Sequence, residues 1–174
     1  MAITIVVEDG TIVADANAYI DVAYARQYAL DRGVTLPVAN DEVAAMIIQA
    51  TDFLESFACD YQGTKTDPAT QELQWPRIDV YFDESETAFP SDSIPKNLKK
   101  AQAAAVIAVS QGLSLLPNIV AQDYVTEETV GPITTKYANP LQAGIESRFT
   151  GVDALLAPLF GSCGSGFAIR TVRA

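Results

Sequence analysis

Between Asn40 and Phe57 the chain reads N-D-E-V-A-A-M-I-I-Q-A-T-D-F-L-E-S-F, and Val43, Met46, Ile47, Ala50, Leu54 and Phe57 recur at intervals of three and four. That spacing predicts a helix with one buried face. Asn40 opens it, and Asp41 and Glu42 stand where the helix dipole favours negative charge. Upstream, Asp21 is placed to cap a helix whose Val22, Ala25, Tyr28 and Ala29 share a face and which stops at Gly33. Downstream, Pro95 suits a first helical position, and K-N-L-K-K-A-Q-A-A-A-V-I-A-V-S-Q-G-L puts Leu98, Ala101, Ala105 and Val109 on one stripe. A last short helix is expected near Val152 to Leu159, ended by Gly161.

Strand-like alternation occurs twice. Residues 3–13, I-T-I-V-V-E-D-G-T-I-V, flank Asp9-Gly10 and predict a hairpin or extended arm. The segment D-Y-V-T-E-E-T-V-G-P-I-T-T-K-Y predicts a second hairpin around Gly131-Pro132. From Cys59 to Ile94 no period survives. A connection longer than the ~15 residues usual for structureless loops is expected to be functional or wrapped on the body. The expected fold is mainly α: a small bundle of three to four helices with β-hairpin extensions and long loops. It would form one domain over 1–160, with an N-terminal hairpin arm and a 121–140 hairpin, followed by a tail over 161–174.

Composition narrows the function classes. Apolar residues make up 49% of the 174 and charged ones 19%, which marks a globular chain. No apolar run approaches the ~20 residues of a membrane span, and the N-terminus lacks the pattern of a secretory signal. An intracellular, soluble product without membrane partners is expected. With no histidine, the His-containing zinc patterns and the Ser-His-Asp and Cys-His catalytic sets are excluded. Cys59 and Cys163 are expected to be free thiols. The acidic cluster Asp79, Asp83, Glu84 and Glu86 lacks the glycine and terminal glutamate of an EF-hand loop and reads as a solvated face. No phosphate-cradling glycine motif precedes a helix. No catalytic, cofactor-binding or metal-binding residue emerges, so an enzyme is not expected.

Charge is unevenly distributed. Residues 1–94 carry 17 acidic and four basic side chains, net −13, and residues 95–174 carry five acidic and seven basic, net +2. An excess of this kind repels phosphate backbones over most of a surface. Lys96, Lys99 and Lys100 form the one basic cluster. Trp75, in Q-E-L-Q-W-P-R, is expected to pack on the core with its indole N–H satisfied. Arg77 reads as an electrostatic clasp, within one subunit or between subunits. In the tail, Phe167, Ile169 and Val172 alternate with small and basic residues including Arg170 and Arg173, a pattern suited to adding a strand to a partner.

Taken in order, E-D-G-T, A-N-A-Y-I-D, A-T-D-F-L-E-S, Y-Q-G-T-K-T, Q-E-L-Q-W-P-R, I-P-K-N-L-K-K-A-Q and V-G-P-I-T-T-K-Y resemble the head-to-tail adaptor (connector, head-completion) proteins of tailed bacteriophages, over about Glu8 to Tyr137. The resemblance implies a non-enzymatic virion protein, made in the host bacterial cytoplasm. It would form a dodecameric ring at the neck that joins portal protein to tail or stopper protein and lets double-stranded DNA pass without specific contacts. On that reading Trp75, Arg77, Lys96, Lys99 and Lys100 are candidates for the contact between copies, and Phe167, Ile169, Arg170, Val172 and Arg173 for the contact with the portal. The same group also carries a DnaT-like single-stranded-DNA-binding label, which supplies the second reading: a binder of single strands in a phage replication module. Such a binder needs a basic groove with aromatic platforms. With one lysine cluster and scattered aromatics, this reading ranks second.

Overall fold

A central alanine-rich helix organises the molecule. In the computed structural model, which describes residues 2–82, 87–116, 127–130, 133–136 and 149–161, the elements in chain order are α1 (Val22–Leu30), α2 (Asn40–Glu55), β1 (Thr64–Lys65), β2 (Arg77–Ile78), α3 (Lys96–Ser110), β3 (Glu127–Val130), β4 (Ile133–Lys136) and α4 (Thr150–Leu156), the last continued by a 3-10 turn, Ala157–Leu159. The fold is mainly α. Helix α3 packs against α1, α2 and α4, and Leu98, Ala101, Ala103, Ala105, Val106 and Ala108 are buried on several of its sides. Alanine makes this possible, because a side chain of one carbon lets neighbouring helices approach and costs no rotamer entropy.

The helix signals expected around α1 act locally as read. The Asp21 carboxylate accepts the Tyr24 N–H at 2.7 Å, and α1 ends with Gly33 at φ +72°. In α2 Val43, Ile47, Ala50 and Leu54 are buried, while Met46 and Phe57 pack at the margin. Asn40 does not cap; its side chain instead accepts from the Arg26 guanidinium at 3.1 Å. Phe53 meets Phe57 and Phe149 edge-on, tying α2 to the segment before α4. A buried polar bolt joins three elements: the Gln102 carboxamide of α3 accepts the Tyr19 N–H and donates to the Thr51 hydroxyl of α2.

The N-terminal hairpin does not form. Glu8 is fully buried, and its carboxylate accepts the N–H groups of Gly10, Ile12 and Val13 at 2.8–3.1 Å, curling the chain into a loop that holds Ile12 at φ 61°. A carboxylate with three backbone donors competes with strand pairing for the same N–H groups and wins here. What remains of sheet is a parallel bridge between Val7 and Ala18. Gly10 has φ +115°, and a Cβ there would collide with the carbonyl oxygen of Asp92, so this loop sits directly on the approach to α3. Of the second expected hairpin the structure describes the two strands, with β3 and β4 antiparallel and Val130 opposite Ile133, while Gly131-Pro132 lies outside the described residues.

The long connection after Cys59 is wrapped on the body. Its antiparallel β1–β2 pair sets Thr64 against Ile78 and Lys65 against Arg77. Glu55, at the end of α2, anchors it: one carboxylate oxygen accepts from the Tyr19 hydroxyl at 2.5 Å and the other from the Gln74 N–H at 2.9 Å. Burial pushes the Glu55 carboxyl above its usual range, against the pull of these hydrogen bonds and of the Lys65 and Arg77 charges. The folded chain therefore holds this proton more tightly than the unfolded chain. The Glu55 contribution to stability must fall as pH rises from the ordinary carboxylate value through the raised one, and the cost of the buried charge is complete above it. Denaturation of wild type and Glu55→Gln across the acid range should show wild type losing ground to the variant as pH rises. A difference that grows in the opposite direction would contradict the assignment.

Cys59 is disulfide-bonded, against the expectation of free thiols, and among the described residues no cysteine is free. Cys163 lies outside the described residues, as do Asp83, Glu84 and Glu86 of the acidic cluster.

Candidate functional site

Buried Ile94 and Pro95 fix where α3 begins. Pro95 occupies the cap position and has no side-chain acceptor to offer, and the first turn contains no acid. The N–H groups of that turn are left without a side-chain partner. Into the same two turns the sequence sets Lys96, Lys99 and Lys100, of which Lys96 and Lys100 are exposed and Lys99 half-buried. Cations near a helix N-terminus oppose the macrodipole by about 0.3–1 kcal/mol each. The other helices obey the rule, α1 through the Asp21 cap and α2 through Asp41 and Glu42. A local violation of helix electrostatics is where function is to be sought.

An acidic side chain approaches this helix start from the N-terminal loop. The Lys99 ammonium contributes to holding the Asp9 carboxyl below its usual range, although the hydroxyl and N–H of Thr11 are the larger causes. Among the described residues none of the three lysines forms an ion pair.

Beside this helix start opens a cleft of about 620 Å³. Three segments distant in sequence build it: Phe82 and Phe89 from the long connection, Ser93 to Asn97 from the approach and first turn of α3, and Pro158 and Leu159 from the 3-10 turn. The two phenylalanine rings lie 4.9 Å apart and inclined at 59°. Phe89 is turned back toward the body by a 2.7 Å hydrogen bond from its N–H to the Val80 carbonyl, and its ring meets Trp75 edge-on at 6.5 Å. The arrangement joins aromatic faces, an amide side chain (Asn97) and positive charge at one opening.

The other residues singled out in the sequence lie elsewhere. Trp75 is fully buried beneath the cleft, edge-on to Tyr61 and joined to Pro76 by a cis peptide bond. Its indole N–H finds no acceptor among the described residues, contrary to expectation. Arg77 is buried too, and its guanidinium donates to the carbonyls of Gln62, Gly63, Tyr61 and Gln74. Both side chains are engaged inside their own chain. The tail residues Phe167, Ile169, Arg170, Val172 and Arg173 lie outside the described residues. Phe82, Phe89 and Asn97 were not singled out from sequence. On α1, the Arg32 guanidinium lies 3.3 Å from the centre of the Tyr28 ring and donates to the Tyr28 carbonyl, which closes that helix end on itself.

Among the described residues no group of three or more His, Cys, Asp or Glu side chains could hold a metal ion, and no helix is long and apolar enough to cross a membrane.

No curated protein and no solved structure matches the chain. A family model does, over residues 3–174; its description is "Putative DnaT-like ssDNA binding protein". This overturns the head-to-tail adaptor reading, and with it the portal, tail and stopper partners, the virion ring and the passage of double-stranded DNA. Two of the segments that carried the adaptor resemblance serve the fold itself: E-D-G-T is the loop clamped by Glu8, and Q-E-L-Q-W-P-R buries Trp75 and Arg77. Matched along nearly its whole length, the chain belongs to the family described as "Putative DnaT-like ssDNA binding protein".

Proposed function

We propose that the protein binds single-stranded DNA, without catalysis, at the start of α3. Membership of the family is the observation that carries this reading. Lys96 lines the Phe82–Phe89 cleft, and Lys99 and Lys100 follow it in the first two turns of α3, so the helix start offers the two things strand binding requires, cations for the backbone and an aromatic wall for bases. The net charge of −11 is a sum over the whole chain, and at physiological ionic strength exposed charges farther than about 8–10 Å from the lysines act weakly on a strand held there. The first turn of α3 adds N–H groups directed at the same place, which favours an anionic oxygen there. Unpaired strands are preferred over duplex, since only unpaired bases expose their faces to aromatic side chains.

The test is a variant with Lys96, Lys99 and Lys100 all replaced by alanine. Removing cations that oppose the helix dipole should leave the circular dichroism unchanged and the stability equal or slightly raised. Binding of fluorescent oligo(dT) at low salt, followed by anisotropy, should weaken by about ten-fold or more. Undiminished affinity would remove the strand from this face.

A further inference from the structure

We infer that the cleft beside α3 is a base-reading subsite: one unpaired nucleobase enters it, stacks on the Phe82–Phe89 wall and meets the side-chain amide of Asn97, while its phosphate lies against Lys96. The inference rests on the reading of the protein as a strand binder and says how the strand is held. Size is the first argument. A volume of about 620 Å³ falls within the range of about 300–1,000 Å³ typical of small-molecule sites, so a nucleotide fits inside rather than merely crossing the mouth.

Geometry narrows the mode. At 4.9 Å the two phenylalanine rings are already in direct contact, which leaves no gap for a base between them. The base must therefore stack against the wall from the cleft side. Trp75, buried and edge-on to Phe89, backs the wall. Pro158 and Leu159 add apolar lining from the 3-10 turn. Polar chemistry is confined to the α3 side. Asn97 is half-buried, and among the described residues its side chain has no hydrogen-bond partner, leaving a donor and an acceptor for a base edge. Lys96 is exposed one residue earlier and lines the same cleft. A purely apolar ligand would leave the amide unsatisfied, and a bare phosphate would leave the aromatic wall unused; a nucleotide matches both.

The experiment compares oligo(dT) with an abasic deoxyribose-phosphate strand of the same length, on wild type, Phe82→Leu and Phe82→Tyr. Wild type should bind the abasic strand about ten-fold or more weakly, the loss expected for a base–aromatic stack. Phe82→Leu keeps apolar bulk but removes the π face, so it should bind both strands nearly alike, and Phe82→Tyr should restore the difference. Trp75, the one tryptophan of the chain, supplies a second readout: its fluorescence should change with oligo(dT) and stay constant with the abasic strand. Equal affinity of wild type for the two strands, or full discrimination by Phe82→Leu, overturns the base subsite while strand binding stands. Failure of wild type to bind either strand overturns both together.

Discussion

Replacing Trp75 by alanine should cost the protein about 3–5 kcal/mol, the range for emptying an aromatic site in a close-packed core. Trp75 is fully buried and meets Tyr61 and Phe89 edge-on, so its removal leaves a cavity walled in part by aromatic rings of the long connection. Its backbone N–H, which donates to the Tyr19 hydroxyl, links it to the Glu55 carboxylate as well. Phenylalanine should recover most of the loss, because among the described residues the indole N–H has no partner to forfeit. Urea denaturation monitored by circular dichroism measures both variants. A loss below about 1 kcal/mol for alanine would mean that the connection is not part of the core.

Arg77→Met should cost about 3 kcal/mol, through polar groups left unsatisfied rather than lost contact area. The Arg77 guanidinium donates at 2.7 Å to each of the Gln62 and Gly63 carbonyls and at 3.3 Å to that of Gln74. These carbonyls converge on one point because Gly63, at φ +66°, lets the backbone pass so close to Ile78 that any Cβ would collide with its carbonyl oxygen. Lysine cannot reproduce a planar fork with five donors, so Arg77→Lys should recover less than half of the loss. Limited proteolysis provides an independent readout, with new cleavage expected between residues 61 and 78. A fully stable, protease-resistant Arg77→Met protein would contradict this role.

Elements governed by short-range chemistry were legible in the sequence: the Asp21 cap, the stripe of α2, the start of α3 and the β3–β4 pair. The N-terminal loop was not, because a glutamate among β-branched residues reads as an exposed strand position, and only tertiary burial makes Glu8 the centre of three backbone hydrogen bonds. The approach of Gly10 to Asp92 spans most of the chain and has no local signature. At the site, Lys96, Lys99 and Lys100 were visible as a cluster but were set against a total charge that says little about local potential. Their position was the better signal, since three lysines in the first turns of a helix with no acid oppose its dipole. Phe82 and Phe89 were scattered aromatics on the page; they become a wall only because a hydrogen bond to Val80 folds the second back beside the first.

The central claim, that single-stranded DNA is held by the lysines at the start of α3, is tested most directly by the salt dependence of wild-type binding to oligo(dT). If each of the three lysines neutralises one phosphate, the logarithm of the association constant should fall linearly with the logarithm of salt concentration, with a slope of about −2. Saturable binding with that slope is the predicted result; absence of binding at the lowest salt, or an affinity indifferent to salt, would contradict the account.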